Sequence, residues 1–259
     1  MRSLCRAAFF LELHSLIMLT SLADSILSLV YPQPCAVCGR SVEYRRNGVA
    51  CENCWMATRV FSGSETLCSK CGAYLLEKPS RRAVFCPNCT EHFYDSSHAI
   101  GVYEKALAAS ILELKRDPFI PDRLRNYLRS ALDRIEFTDA TIIVPVPLSA
   151  RRRLERGFNQ AETIASIISS ETVTRLEKDV LQRSVHTAIH RVAMDKKARE
   201  MSVAKAFNLA QREKILGKDV LLVDDVMTSG ATVSACAKIL KKGGAQKVRV
   251  LTLGRAVLR

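Results

Sequence analysis

Two stretches of the chain carry residues in patterns that can do chemistry. In the first, VLLVDDVMTSGAT at 220–232, four apolar residues run into Asp224 and Asp225, followed by a loop of small and hydroxyl residues around Gly230. Adjacent carboxylates repel each other and resist burial, so a pair at the end of an apolar run calls for something that binds it. Vicinal hydroxyls or a metal ion would serve. Of the next residues, Val226, Met227, Thr228, Ser229, Gly230, Ala231 and Thr232, those from Met227 to Ala231 form a turn in which backbone N–H groups can converge. A helix starting near Ala231 or Thr232 would direct its positive end at an anion there. Hydroxyl binding beside a phosphate cradle matches the shape of a ribose 5-phosphate. A P-loop ATPase also places acids after an apolar strand, but it requires Gly-x-x-x-x-Gly-Lys-Ser/Thr. The only Gly-Lys here is Gly217-Lys218, followed by Asp219, with no glycine at the earlier position.

The second pattern is a set of eight cysteines among the ten present, arranged as four Cys-x-x-Cys pairs: Cys35/Cys38, Cys51/Cys54, Cys68/Cys71 and Cys86/Cys89. Two intervening residues let both thiolates of a knuckle point at one ion, and two knuckles complete a tetrahedral four-cysteine zinc site. Sequential pairing is the simplest arrangement, giving two structural zinc ions, and a crossed pairing stays open. A disulfide framework would need an oxidising compartment. The first thirty-odd residues are apolar but broken by Glu12, His14 and Asp24, with no clean cleavage site and no long uncharged span. They are expected to pack as a short apolar helix, with Met18 as an alternative start, in a cytoplasmic protein with no membrane span. The formal charge is +13. Eight thiolates and two zinc ions lower it to about +9. Cys236 shares a helical face with Val233, Ala237 and Leu240, which marks it as core. Cys5 has no reading.

The elements that must position these groups follow from the texture of the rest. The 259 residues suffice for one large domain or two modest ones. The expected division is an apolar lead-in at 1–30, a double zinc ribbon at 31–95 and an α/β domain at 96–259. The ribbon region has too little apolar sequence for its own core, so metal must supply much of its folding energy. Beyond it, apolar β-branched runs such as TIIVPVP, VLLVDD and KVRVLTL alternate with helical patterns such as LAASILELK, LRNYLRSALDRI, QAETIASIIS and TVSACAKILKK. That alternation predicts a mostly parallel sheet flanked by helices. The run 220–223 shows no polar alternation, as in a strand buried on both faces. The aspartates then fall at its carboxyl end, where open α/β sheets bind ligands.

The stretch 220–232 closely resembles the phosphoribosyl-pyrophosphate (PRPP) motif of type I phosphoribosyltransferases. In that family the two acids hold the ribose hydroxyls and the loop binds the 5-phosphate. The resemblance therefore implies Asp224 and Asp225 as catalytic residues and 226–232 as the phosphate loop. A second block, TIIVPVPLSARRRLERGFNQAETIA at 141–165, and the double zinc-ribbon layout before it resemble the ComF family of phosphoribosyltransferase-like competence proteins. By that resemblance, which covers about 24–259, the segment after the first strand of the block faces pyrophosphate. Arg151, Arg152, Arg153 and Arg156 supply its charge, with Arg151 and Arg156 as phosphate binders. Guanidinium groups present forked donors that suit phosphate oxygens.

The segment 183–207, where type I enzymes carry a mobile hood, departs from the family. Ile189 stands at a position usually held by Gln, and Ser202 replaces Asn in the second hood element, which begins at Arg199. The segment still offers His186, His190, Arg191, Lys196, Lys197 and Arg199 to close over a polyanion and exclude water. No general acid is assigned. The implied reaction is displacement of pyrophosphate from PRPP by a nitrogen nucleophile, with Mg²⁺ neutralising the leaving group.

Three roles compete: a phosphoribosyltransferase using PRPP or a nucleotide, a single-stranded-DNA-binding competence factor with a DNA-uptake helicase as partner, and a PRPP-sensing regulator. With 6% aromatic residues, and with Tyr103 and Phe158 isolated, no stacking platform for base-specific readout is evident.

Overall fold

A computed structural model describes residues 31–75, 85–86, 89, 91–183 and 206–257. In chain order the elements are α1 (Glu52–Met56), β1 (Ser96–Val102), α2 (Lys105–Glu113), α3 (Asp122–Leu132), β2 (Thr141–Pro145), α4 (Ala150–Arg156), α5 (Gln160–Thr172), β3 (Leu181–Arg183), β4 (Phe207–Leu209), β5 (Asp219–Met227), α6 (Ala231–Gly243) and β6 (Lys247–Arg255). Four strands form one sheet in the order β1-β6-β5-β2, every neighbouring pair parallel. The short β3 and β4 make a separate antiparallel ribbon. Among the described residues no helix is long and apolar enough to cross a membrane.

The absence of polar alternation in β5 has the expected cause: both faces of the sheet are covered. Successive side chains point to opposite faces. Leu221 and Val223 pack with Leu107 and Ile111 of α2, Leu124 and Leu128 of α3, and Ile164 and Ile168 of α5. Val220 and Leu222 pack on the other side with Val233, Cys236, Ala237 and Leu240 of α6, so Cys236 is core, as its helical face predicted. The two cysteine sets divide in the same way. Cys35, Cys51, Cys54 and Trp55 join the first core, whereas Cys68, Cys71, Cys86, Cys89 and Tyr94 join the second.

One boundary differs from the expectation. The strand does not end at Val223 but continues to Met227, because β6 keeps pairing with it as far as Val226 opposite Gly254 and Met227 opposite Arg255. On the other side β2 stops at Pro145, opposite Val223. The last bond between them runs from Val146 N to Val223 O at 2.8 Å. Residues 224–227 of β5 therefore run past the end of their neighbour, and a crevice opens along that free edge. The turn shortens to 228–230, and α6 begins at Ala231 as expected.

Candidate functional site

The crevice is a cavity of 290 Å³ lined on one side by Asp224, Asp225, Val226, Thr228 and Thr232, and on the other by Arg152, Arg156, Asn159 and Gln160. Asp224 and Val226 to Thr232 also line a smaller recess of 30 Å³ at the start of α6. Gly230 makes that turn possible. Its φ is +83°, and a Cβ there would lie 2.8 Å from Met227 Cε and 2.9 Å from His92 Cε1. Only glycine takes this left-handed conformation without a steric penalty. Met227 is buried, with its side chain in the core beneath the loop and its sulfur accepting a hydrogen bond from Ser97 Oγ at 3.2 Å. It can therefore offer a ligand only its backbone.

The opposite wall is set by two helix caps. Ser149 caps α4, its Oγ accepting from Arg152 N at 3.4 Å, and Gly157 ends the helix with φ +77°. Asn159 caps α5, accepting from Ala161 N at 3.1 Å and donating from Nδ2 to Val146 O, also at 3.1 Å. Residues four apart share a helix face. Hence Arg152 and Arg156 both look into the cavity, while Arg151 is turned outward and paired with Glu155 at 2.7 Å. Arg153 reaches Glu162 at 3.1 Å and also lies outside the lining. Of the two arginines expected to bind phosphate, Arg156 is placed at the cavity and Arg151 is not. Arg152 stands where Arg151 was expected, because helical phase selects one of three consecutive arginines.

The carboxylate pair is electrostatically loaded. Asp225 makes an ion pair with Lys115 at 3.2 Å, and its backbone N–H donates to Asp224 Oδ1 at 2.9 Å. Burial among protein groups and the neighbouring Asp225 charge push the Asp224 carboxyl up to about 8, against smaller opposing pulls from Lys115 and Arg183. Although Asp224 keeps part of its surface open to the crevice, protein surrounds it on the other sides. In the free protein near neutral pH it is therefore largely protonated. It could donate a hydrogen bond to a hydroxyl, or ionise when a cationic centre develops beside it.

The linear motifs did not single out Lys115, Asn159, Gln160 or Arg183, all of which line the cavity. Gln160 accepts from Arg156 Nη1 at 2.9 Å through Oε1, while its buried Nε2 has no partner among the described residues. The run ending in Gln160 carried a signal, since it falls within the block that sets the arginines. Lys115 carried none. His186, His190, Arg191, Lys196, Lys197 and Arg199 lie outside the described residues, as do Cys5, Ile189 and Ser202.

The cysteines assemble sequentially: Cys35, Cys38, Cys51 and Cys54 in one cluster, and Cys68, Cys71, Cys86 and Cys89 in the other. Sulfur–sulfur separations include 3.8 Å for Cys35–Cys54, 3.6 Å for Cys38–Cys51, 3.5 Å for Cys68–Cys89 and 3.4 Å for Cys71–Cys86. A tetrahedron of roughly 2.3 Å Zn–S bonds has edges of about 3.8 Å, whereas a disulfide needs about 2.05 Å. Backbone N–H groups of Val37 and Cys51 point at Cys35 Sγ, and that of Cys86 at Cys68 Sγ. Burial raises Cys68, but hydrogen bonds from the Cys71 and Cys86 backbone outweigh it and hold the thiol at about 6. Burial and crowding push Cys71 up to about 11. Four such groups can all be thiolates only around a cation, so both sets fit structural zinc.

Comparison with known proteins matches two domain families to the chain. Residues 154–256 match the phosphoribosyl transferase domain family, and 26–90 match the double zinc ribbon domain family. Competence protein F of Haemophilus influenzae is 29% identical over 231 residues, covering 86% of this chain and 96% of that one. DNA utilization protein YhgH of Escherichia coli K12 is 27% identical over 243 residues, covering 88% and 100%. Competence protein ComFC of Bacillus subtilis is 26% identical over 152 residues, covering 57% and 58%. Among solved structures, the glutamine PRPP amidotransferase of B. subtilis complexed with ADP and GMP aligns at 21% identity and a TM-score of 0.34, over 50% of this chain and 26% of that one. The fold, the family matches and the cysteine clusters define a phosphoribosyltransferase-fold protein with an N-terminal double zinc ribbon. Within that class the chain is ComF-like.

Proposed function

We propose that the crevice binds the phosphoribosyl group of PRPP or a nucleotide, in a protein linked to the use of taken-up DNA or to nucleotide salvage. One observation carries this: the Asp224–Asp225 edge with Thr228 and Thr232 forms one wall of a single 290 Å³ cavity, and Arg152 and Arg156 form the other. The turn suits a 5-phosphate, the carboxylates suit ribose hydroxyls, and the arginines suit the diphosphate. Mg²⁺ would arrive on the diphosphate and neutralise part of its charge.

With turnover, the bond from the anomeric carbon to the diphosphate oxygen breaks and a bond to a nitrogen nucleophile forms. Positive charge develops on the ribose beside Asp224 and Asp225, while Arg152 and Arg156 hold the departing anion. A cytoplasmic setting goes with this reading, because thiolate clusters need reducing conditions. The test is titration calorimetry with PRPP and Mg²⁺, followed by a screen of nucleobase acceptors. Absence of PRPP binding sinks the assignment, and binding without turnover on any base reduces the protein to a sensor.

A second reading, non-catalytic binding of single-stranded DNA, is favoured by the names of the relatives and by the charge of +13. Arg151, Arg153 and the lysines of 183–207 would supply phosphate contacts. Binding to an oligonucleotide that falls steeply with salt and ignores PRPP supports that reading.

A further inference from the structure

Arg255, the last residue of β6, is a buried guanidinium that ties two centres together. Its Nε donates to Cys71 O at 3.2 Å, and its Nη2 lies 3.8 Å from Cys71 Sγ. Its Nη1 donates to Met227 O at 3.0 Å, to Ala256 O at 3.2 Å and to Thr228 O. One side chain therefore holds a ligand residue of the second cysteine cluster and the two carbonyls where β5 turns into the phosphate loop. Among the described residues no carboxylate pairs with Arg255. The anionic group it touches is the cluster itself, because four thiolates around Zn²⁺ keep a net charge of −2.

Other contacts converge on the same place. Gly230 sits directly against His92, three residues beyond Cys89. Phe93 N donates to Ser234 Oγ at 3.2 Å in the first turn of α6, and Lys238 Nζ stands 4.5 Å from the Phe93 ring centre. The floor of the loop is thus built from the second ribbon. The first cluster lies on the opposite face of the sheet, where Glu52 of α1 pairs with Arg123 of α3. Its link to the site runs indirectly, through Thr58 and α2 to Lys115 and Asp225, and among the described residues no side chain hydrogen-bonds both one of its cysteines and residues 226–232.

We infer, building on the phosphoribosyl reading of the crevice, that Arg255 is a positioning residue through which the second zinc centre, and not the first, sets the conformation of the phosphate loop. Emptying that centre leaves the guanidinium buried without its counter-charge, and its hold on Met227 and Thr228 gives way. Ligand affinity and zinc retention are then linked, and linkage runs both ways.

The decisive measurement needs no ligand. Amide hydrogen exchange is followed by mass spectrometry across 226–232 in the zinc-loaded full chain, in Arg255→Lys, in Arg255→Met and in Cys86→Ser, with 161–168 of α5 as the internal control. Loss of a charged hydrogen bond corresponds to roughly tenfold to hundredfold faster exchange of the loop. That increase is expected in Arg255→Met and Cys86→Ser, partly in Arg255→Lys, and not in α5. In the unmutated protein, graded chelation gives the same readout, with thiol alkylation reporting which cysteines have lost metal. Loop exchange that rises with alkylation of Cys68, Cys71, Cys86 and Cys89 supports the coupling. Exchange that stays unchanged when those cysteines are alkylated, or that follows only the first cluster, overturns it. PRPP titration of the same samples reads the ligand separately: no binding to the unmutated protein refutes the phosphoribosyl assignment, while the exchange result still decides the coupling.

Discussion

Replacing Asp224 with Asn should stabilise the protein at alkaline pH while removing its ligand. The folded-state pKa is raised from 3.8 to about 8, by burial first and by Asp225 second. The sign follows from proton binding: below about 4 both states are protonated, and the carboxyl costs the fold nothing. As the pH rises from there to 8 the unfolded chain ionises first, so stability falls; above 8 both states are ionised and the loss stays constant. At about 1.4 kcal/mol per unit the whole interval amounts to about 6 kcal/mol. About 2 kcal/mol of it falls between pH 6.5 and 8.5, the window that contains the folded value. Asparagine keeps an oxygen to accept from Asp225 N and has no charge to bury. Urea unfolding of zinc-loaded wild type and Asp224→Asn, at pH 6.5 and 8.5, should show the variant ahead at both, with its lead growing by about 2 kcal/mol between them. PRPP binding should be abolished in the same preparation. A variant less stable than wild type at pH 8.5, or a lead that does not grow with pH, would refute the reasoning.

Three further outcomes follow. Arg152→Ala should weaken PRPP binding by roughly 2 kcal/mol through loss of a charge-assisted hydrogen bond, whereas Arg151→Ala, which removes only an exposed pair with Glu155, should leave it unchanged in calorimetry. Thr228→Val or Thr232→Val should cost about 1–3 kcal/mol of 5-phosphate affinity each, read with ribose 5-phosphate as the titrant. Elemental analysis should find about two zinc ions per chain, and Cys71→Ser about one, with circular dichroism showing that most of the α/β domain survives.

The sequence by itself determined whatever depends on neighbours a few residues apart. The unbroken apolar run 220–223 implied a doubly covered strand, Asp224 and Asp225 announced a polar edge beside it, and the small residues before Ala231 implied the turn into a helix. The Cys-x-x-Cys spacing likewise showed the knuckles. Their assembly into sequential clusters on opposite faces of the sheet was left to the fold, because spacing does not say which knuckles meet. The phase of α4 decided that Arg152 and Arg156, not Arg151, look into the cavity, and that phase is set by the Ser149 cap and the left-handed Gly157. Lys115 reaches Asp225 from just past α2, and Arg255 grips Cys71 across 184 positions. No local pattern encodes such pairs. They arise because parallel strands must be joined by crossovers, and the crossovers bring distant ends of the chain to the same edge of the sheet.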